Sequence, residues 1–357
     1  MNPRLQALTY GTVLALCVGW VLWIGQSVLL PIAFSILVVY VIVGTSRLVS
    51  RLPGLGSRMP RSLLYAVSFL LICAALAATF WLVAADLGRA IELAPRYQES
   101  LLATIQAISA RLGVEDEPSW ATVRQYLLAQ GNTQKLLGYS AAILTSVPSL
   151  LIVSVLYVIF LLIELGTLPR KLANLSEDPA AVARLQKIIS HVNERIGTYL
   201  ALKTFMCVLT GGLSWAAMAW AGLELASFFG VLIALVNYIP YLGSFLGVFV
   251  PVGFGLLQFG ISGELLLLLA ILMAVQFTIG NVLDPWLMAN SLNLSPFAIL
   301  ASLAAWSALW GLAGAFLAVP LTACIVMVLA ESKGTRPLAV LLSKTGDVGE
   351  AERGGTS

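Results

Sequence analysis

Residues 225–258 read LASFFGVLIALVNYIPYLGSFLGVFVPVGFGLLQ, and this apolar stretch decides how the chain folds. It is too long for one membrane-spanning helix, which needs about 20 residues, and too short for two helices joined by a loop. Its middle, Asn237 to Gly243, contains Pro240, and Pro251 follows further on. Because proline removes a helical hydrogen bond and glycine permits a sharp turn, we predict an interrupted membrane segment here.

A second stretch of the same kind covers residues 296–330. It is interrupted by Gly311-Leu312-Ala313-Gly314 and, further on, by Pro320. Non-helical backbone at membrane depth persists only where it is buried in protein or lines a water-filled cavity. The two matching interruptions therefore predict the midplane binding site of a transporter, built from segments that are either re-entrant or kinked. The alternative is a pair of long, proline-kinked helices that enclose no cavity.

The composition indicates a protein of the lipid bilayer. Hydrophobic residues make up 59% of the 357 residues and charged residues 10%, against roughly 25% charged in soluble domains. With a net charge of +3 and no basic run, nothing points to a nucleic acid partner. The cysteines form no CxxC pair and no cluster with histidine, so we predict no disulfide, no metal site and no cofactor. They are Cys17, Cys73, Cys207 and Cys324.

Six further runs of apolar residues read as ordinary membrane helices. They cover about 5–24, 27–45, 62–85, 141–163, 196–221 and a shorter run at 265–279. Together with the two interrupted stretches, they predict an all-α polytopic membrane protein with about eight membrane segments. Lys203 lies about two turns inside the fifth run, near enough to its end for the ammonium group to reach the interface.

Lysine and arginine set the predicted orientation. Arg47, Arg51, Arg58 and Arg61 surround the loop after the second run, with no acidic residue among them. This bias predicts that the N-terminus is cytoplasmic. Segments outside the membrane read as amphipathic helices. The predicted divisions are membrane helices at 1–86, an outer segment at 87–140, a membrane helix at 141–164, an inner helix at 165–195, a transport core at 196–331 and a disordered tail at 332–357.

Asp284 is the carboxylate that the sequence singles out, at the end of the polar stretch from Gln276 to Pro285. A carboxylate beside amides at the end of a span is suited to binding a cation or carrying a proton. The alternative is that Asp284 lies in headgroup water and starts a turn before Pro285. The candidate substrate-binding residues are Asn237, Pro240, Gly243, Gln276, Asn281, Gly311, Gly314 and Pro320.

The sequence shows no constellation for catalysis. Enzymes that work inside the membrane use carboxylate pairs, a Ser/His dyad or an H-E-x-x-H zinc motif. The single histidine, His191, lies outside the predicted spans. We therefore predict that the protein is not an enzyme and has no catalytic residues.

Three C-terminal stretches resemble the autoinducer-2 exporter (AI-2E) family of bacterial membrane transporters. Residues 237–251 match an N-x-I-P-x-x-G pattern followed by a proline, and residues 276–296 match an amide, an asparagine and two prolines in that order. Residues 310–320 match the ending G-x-x-G-x-x-x-A-x-P. The order and spacing of the three together make the resemblance specific.

The resemblance implies a multi-pass protein of the bacterial inner membrane that has both termini in the cytoplasm and assembles as a homo-oligomer. It also implies transport of a small molecule or ion without ATP, and the chain has no G-x-x-x-x-G-K-[ST] phosphate loop. Family members carry autoinducer-2 or, in some cases, exchange sodium ions for protons. Our leading hypothesis is a secondary transporter that exports a small polar solute by alternating access. The alternatives are a sodium/proton antiporter that uses Asp284 and a membrane scaffold that transports nothing.

Overall fold

The computed structural model describes residues 3–50, 59–112, 152–288, 292–332 and 334–347, and the regular structure in these ranges is helical. In chain order the helices are α1 Pro3–Ile24, α2 Gln26–Ser50, α3 Arg61–Leu112, α4 Ile152–Leu165, α5 Leu168–Ala173, α6 Pro179–Trp220, α7 Ala226–Val236, α8 Leu242–Phe259, α9 Gly263–Thr278, α10 Asp284–Met288, α11 Pro296–Ala330 and α12 Arg336–Leu342. A π-helical turn, Ile279–Leu283, joins α9 to α10. The predicted all-α fold is confirmed.

Six of the described helices are long and apolar enough to cross a membrane, namely α2, α3, α6, α8, α9 continued through α10, and α11. Three shorter apolar helices, α1, α4 and α7, add to them. When α7 and α8 are taken as the two arms of one broken segment, the set corresponds to the eight predicted membrane segments. The protein is therefore an all-α polytopic membrane protein.

Two helices extend well beyond the membrane runs that the sequence predicts. The apolar part of α3 ends at Asp86, but the same helix continues to Leu112. The predicted inner helix runs without a break into the fifth span as α6, and the Asp178 carboxylate accepts a hydrogen bond of 2.9 Å from the Ala180 N–H at its start. Residues 141–151 of the predicted fourth span, the predicted outer segment beyond residue 112, and residues 348–357 lie outside the described residues.

The start of the predicted disordered tail is ordered, contrary to the prediction. Residues 336–342 form α12, and Ala339 on this helix is completely buried. The Ser295 N–H donates to the Leu342 carbonyl at 2.9 Å, and the Asn293 amide donates to the Asp347 carbonyl at 2.8 Å. These bonds hold the residues after α11 against the residues that precede it.

The described residues pack as two compact units. The first unit comprises residues 1–68, 150–202 and 288–357, and the second comprises residues 69–149 and 203–287. Large buried side chains form the core of each. In the first unit they include Ile196, Leu200, Trp306, Trp310 and Leu317. In the second they include Met218, Phe229, Ile233, Leu268 and Leu272.

In the first unit, α11 is a hairpin rather than a kinked span. The Trp306 indole N–H donates to the Thr322 hydroxyl at 3.0 Å, although these residues would lie about 24 Å apart along a straight helix. The turn is made at Gly311, whose φ of 61° and ψ of −142° are non-helical. This backbone region is essentially restricted to glycine. Gly311 therefore reverses the chain between residues 296–310 and residues 312–330.

The tip of the α11 hairpin is held on both sides within the first unit. Just before the turn, the Trp310 indole N–H donates to the Leu22 carbonyl of α1 at 2.9 Å. Just after it, Gly314 packs directly on the backbone of Trp306, and a Cβ added at Gly314 would lie 2.6 Å from the Trp306 carbonyl carbon. The two arms are thus in backbone contact close to the turn.

In the second unit, α7 and α8 form another hairpin. The Gln258 side chain at the end of α8 accepts from the Glu224 N–H at 2.8 Å and donates to the Gly222 carbonyl at 2.7 Å, which brings the open ends of the two helices together. Nearer the turn, Gly247 lies against Ile233. The 11 residues of α7 rise about 16 Å, roughly half of a 30 Å hydrocarbon core.

Both interrupted stretches are therefore hairpins, and the alternative of two proline-kinked spans is wrong. The chain reverses at residues 237–241 in one hairpin and at Gly311 in the other. Pro251 and Pro320, which the sequence counted among the interruptions, lie buried inside helical arms instead. A proline is tolerated there because neighbouring helices in a membrane protein cover the distorted backbone.

The N-terminus of α7 is capped by a residue from a different helix of the second unit. The buried Asp86 carboxylate on α3 accepts a hydrogen bond of 2.8 Å from the Phe228 N–H. The residue at the N-cap position itself, Leu225, has a φ of 59° and no side chain able to accept a hydrogen bond. Asp86 therefore takes the role of the missing cap and opposes the positive end of the helix dipole.

We expect Asp86→Ala to destabilise the protein by about 1–2 kcal/mol, because the first turn of α7 loses its acceptor. Thermal unfolding of the purified protein in detergent measures the change. Glu99→Ala, which removes an exposed carboxylate from the same helix, is the matched control and should unfold at the wild-type temperature. Equal unfolding temperatures for the two variants would contradict the capping role.

Candidate functional site

An ion pair lies among the apolar helices of the second unit. The Lys203 ammonium group on α6 is 3.7 Å from an Asp284 carboxylate oxygen at the start of α10. The two side chains are 12% and 27% exposed, so both are largely withdrawn from solvent. Lys203 therefore faces a carboxylate. The sequence predicts instead that its ammonium group reaches toward the interface. Neither charge has a comparable partner among the described residues.

The backbone that carries Asp284 is irregular. The π-helical turn at Ile279–Leu283 inserts a wider turn between α9 and α10. Single π-helical turns of this kind are frequent at functional sites. Asp284 is the first residue after this π-helical turn. It begins the helix α10 rather than a turn, and its side chain is largely withdrawn from solvent.

The tip of the α7–α8 hairpin contacts the same part of α6. The Tyr238 hydroxyl shares a hydrogen bond of 2.5 Å with the hydroxyl of Thr204, the residue next to Lys203. Cys207 lies one helical turn after Lys203 and is buried. One turn of α6 therefore presents an ammonium group, a hydroxyl and a thiol to the hairpin tip and to Asp284. We call Lys203, Thr204, Cys207, Tyr238 and Asp284 the α6 polar cluster.

The hairpin tip is held tightly by backbone contacts. The Asn237 amide donates to the Ile233 carbonyl at 2.8 Å and so closes the end of α7. Tyr241 has a φ of 64°, which non-glycine residues rarely adopt. A Cβ on Gly243 would lie 2.7 Å from the Val236 carbonyl oxygen and 2.8 Å from the Asn237 nitrogen. The turn therefore depends on glycine at 243 and holds Asn237 in one position.

Three buried polar atoms of the second unit have no hydrogen-bond partner among the described residues. One is the Ser214 hydroxyl oxygen, and the other two belong to predicted site residues: the second carboxylate oxygen of Asp284 and the amide nitrogen of Gln276. Gln276 lies on α9 and packs against Gly247 of α8. A buried polar group without a partner costs about 1–3 kcal/mol, and functional sites are a common reason for such a cost. The atoms of Asp284 and Gln276 are therefore available to a bound solute, ion or water molecule.

The comparisons with known proteins agree with this architecture. Residues 12–334 match the AI-2E family transporter model. The chain belongs to the AI-2E transporter family. It is 30% identical over 292 residues to the AI-2 transport protein TqsA of Escherichia coli K12. The aligned region covers 80% of this chain and 82% of TqsA.

Two other relatives bear the description of transport proteins. The putative transport protein YhhT of Escherichia coli K12 is 29% identical and covers 80% of each chain. A putative transport protein of Borreliella burgdorferi is 25% identical and covers 95% of this chain and 91% of its own length. The protein is accordingly a membrane transporter, and its substrate is a small molecule or an ion.

The candidate residues of this AI-2E family transporter fall in the two units. The second unit holds Asn237, Pro240, Gly243, Gln276 and Asn281, together with Asp284. The first unit holds Gly311, Gly314 and Pro320. Asn281 is exposed and donates to the Phe277 carbonyl of its own helix at 3.3 Å. The binding role of all these residues stays a prediction.

Four residues of the α6 polar cluster are missing from the predicted site residues, namely Lys203, Thr204, Cys207 and Tyr238. One signal points to the first of them: no lysine, arginine or histidine occurs between Lys203 and Lys333. A cation that is alone over such a length, within an apolar helix, needs a partner. The acidic residues in that stretch are Glu224, Glu264, Asp284 and Glu331.

Glu224, at the open end of the α7–α8 hairpin, has partners on α3. Arg96 donates to its carboxylate at 3.2 Å, and the Tyr97 hydroxyl donates to the other carboxylate oxygen. Burial raises the pKa of Tyr97 above its ordinary value, and the bond to Glu224 raises that pKa further. Tyr97 therefore stays protonated as a donor, and α3 fastens the hairpin at the end opposite its tip.

Proposed function

We propose that this transporter exports a small polar solute by alternating access, and that the α6 polar cluster and the adjoining hairpin tip bind the solute. One observation carries the proposal: an ion pair and a buried carboxylate oxygen without a partner lie beside a tight backbone turn within otherwise apolar helices. Polar and ionisable groups are expensive inside a membrane and mark substrate or ion pathways there.

The contacts support a solute with several hydrogen-bonding groups. Asp284 offers an acceptor, Gln276 offers an amide donor, and Thr204, Tyr238 and Asn237 line the same turn region of the second unit. The relative TqsA of Escherichia coli is described as an AI-2 transport protein, and an autoinducer-2-like signal or a related metabolite has the matching polarity. Gly311, Gly314 and Pro320 belong to the α11 hairpin of the first unit, and this hairpin would move during the transport cycle.

The remaining parts of the proposal concern setting and assembly. The arginine-rich loop between α2 and α3 supports an orientation with both termini in the cytoplasm of a bacterium. The protein would then lie in the inner membrane and work there as a homo-oligomer, as the family resemblance implies. Transport would be secondary, because the chain contains no phosphate-binding loop for ATP.

Sodium/proton antiport is the second candidate function, and one observation favours it. The Asp284 oxygen without a partner is a suitable ligand for a cation or a proton. Against it stands Lys203, because a cation that approaches Asp284 has to displace an ammonium group already 3.7 Å away. Solute export is therefore the better supported of the two.

Cysteine labelling distinguishes a transporter from a membrane scaffold. Gly243 and Gly314 are unsuitable positions, since neither accommodates a Cβ. Tyr241, which is 59% exposed at the hairpin tip, is suitable. In a variant that keeps the buried Cys207 and has Cys17, Cys73 and Cys324 replaced by alanine, we expect Tyr241→Cys to react with a membrane-impermeant thiol reagent beyond the level of the same variant with Tyr241. The solute should slow this reaction.

Met273→Cys is the matched control, because Met273 is exposed on the side of α9 in the middle of a span, where lipid covers it. It should stay unreactive in the same vesicles. Proteoliposome efflux of autoinducer-2 under imposed proton and sodium gradients then measures transport itself. Complete protection of Tyr241→Cys from both faces of the membrane, together with no efflux, would support the scaffold instead.

A further inference from the structure

We infer that Lys203 is a resident counter-ion that occupies the place of a coupling cation at Asp284, so that the wild-type protein binds no sodium there. This role of Lys203 deepens the proposed function. It rests on that function only for its effect on transport, and sodium binding at Asp284 can be tested without it. Lys203 thereby decides whether this carboxylate requires a cation from solution.

The position of Lys203 gives the first reason. Its ammonium group approaches one oxygen of Asp284 to 3.7 Å from the neighbouring helix, and only 12% of the side chain is exposed. A largely buried carboxylate needs a compensating charge, because burial of an isolated charge is strongly unfavourable. An ammonium group is a compact point charge with three donors, which makes it the protein group that most resembles a bound alkali ion.

The supply of other cations gives the second reason. No lysine, arginine or histidine occurs between Lys203 and Lys333, so the chain from α7 to the end of α11 cannot replace it. On the second unit's part of α3, Arg89 and Arg96 already face carboxylates, since Arg89 lies 3.8 Å from Asp86 and Arg96 lies 3.2 Å from Glu224. Among the described side chains, Lys203 is therefore the cation that pairs with Asp284.

The free oxygen of Asp284 gives the third reason. It is buried and has no partner among the described residues, while the other oxygen faces Lys203. Once the ammonium group is removed, both oxygens are open, and carboxylate oxygens are suitable ligands for hard cations. The lysine is covalently attached and cannot be released, whereas a sodium ion in its place would be exchanged with the solution.

The test uses full-length protein in detergent and needs no transport measurement. Thermal unfolding is recorded while sodium chloride replaces choline chloride at constant ionic strength. Wild-type protein should unfold at the same temperature in both salts. Lys203→Met should unfold about 2–4 °C higher in sodium than in choline, because a ligand that binds only the folded state stabilises it. Lys203→Met/Asp284→Asn should lose that difference, because the carboxylate charge is gone.

Lys171→Met is the matched control. Lys171 pairs with Glu164 in the first unit, where both side chains are more than half exposed. Water already solvates that carboxylate, so removal of the lysine should create no sodium dependence. The difference between the two lysine variants isolates the effect of burial around Asp284.

The outcomes divide clearly. Sodium-dependent stabilisation that appears only in Lys203→Met supports the inference, and so does a Lys203→Met protein that folds in sodium but not in choline. Sodium-dependent stabilisation of the wild type that Asp284→Asn abolishes would overturn it. So would a Lys203→Met protein that stays unfolded or unresponsive in sodium while the double variant folds. If the stability pattern holds but no solute is exported, the proposed function fails and the counter-ion role stands.

Discussion

Gly314→Ala is expected to destabilise the protein by about 3 kcal/mol or more, at the upper end of the cost of overpacking. The added methyl group would lie 2.6 Å from the Trp306 carbonyl carbon, and it would be closer still to the carbonyl oxygen. Both are backbone atoms, so no side-chain rotation relieves the contact, and the two arms of the α11 hairpin must separate near Gly311. Thermal unfolding in detergent should show a drop of roughly 10 °C, with reduced yield of monodisperse protein.

Gly253→Ala is the control for this prediction. Gly253 lies inside α8, and apart from its chain neighbours and the nearby backbone of its own helix, no atom of the described residues lies within 4 Å of a Cβ added there. Alanine favours a helix over glycine by about 1 kcal/mol, so this variant should be as stable as wild type or slightly more stable. If the unfolding temperatures of Gly314→Ala and Gly253→Ala instead agreed within about 2 °C, the two arms would not be in backbone contact at Gly314.

Reversing one charge of the Lys203–Asp284 pair should have the second large effect. Asp284→Lys places two ammonium groups together and Lys203→Asp places two carboxylates together, in a position where each side chain is largely buried. Breaking a buried pair costs about 3–5 kcal/mol, since one charge remains without compensation. The rate of solute efflux should also fall about tenfold or more in each single variant, because both residues belong to the proposed binding site. A tenfold fall corresponds to a barrier that is about 1.4 kcal/mol higher.

The exchanged pair, Lys203→Asp/Asp284→Lys, separates the loss of the pair from the loss of either residue. We expect it to recover most of the stability, with a coupling energy of about 1–3 kcal/mol in a double-mutant cycle. Unfolding temperatures of the four proteins measure the coupling, and efflux from proteoliposomes shows whether the site also works with the charges exchanged. Additive single effects, with no recovery in the exchanged pair, would mean that the two groups do not interact.

Much of the fold could be predicted from composition alone. Apolar runs of sufficient length have few alternatives to helices in a bilayer, because every backbone polar group must be satisfied within the segment. The breaks at residues 237–241 and at Gly311 also follow from local chemistry, since proline and glycine favour them. Local chemistry does not decide how far the chain turns at a break. The hairpin at Gly311 depends on a tertiary contact between Trp306 and Thr322, which no local pattern reveals.

The candidate site was predictable in part for the same reason. Asp284, Gln276 and Asn237 stand out because polar side chains are rare in an apolar context. Lys203 does not stand out in the same way, because it lies near the end of a predicted span, where a lysine can reach water. Its true partner is far away in the sequence and meets it only after α6, α9 and the π-helical turn have packed. Pairing across helices is a property of the fold, and one sequence contains no direct record of it.

The single-residue turn of the α11 hairpin has a mechanical consequence. A turn of several residues is a flexible joint that lets its two arms open independently. Gly311 alone separates the arms here, and Gly314 is already in contact with the Trp306 backbone, so the joint has no slack. Any displacement of this element during a transport cycle must therefore carry both arms together, as a stiff body that slides or tilts rather than as jaws that open.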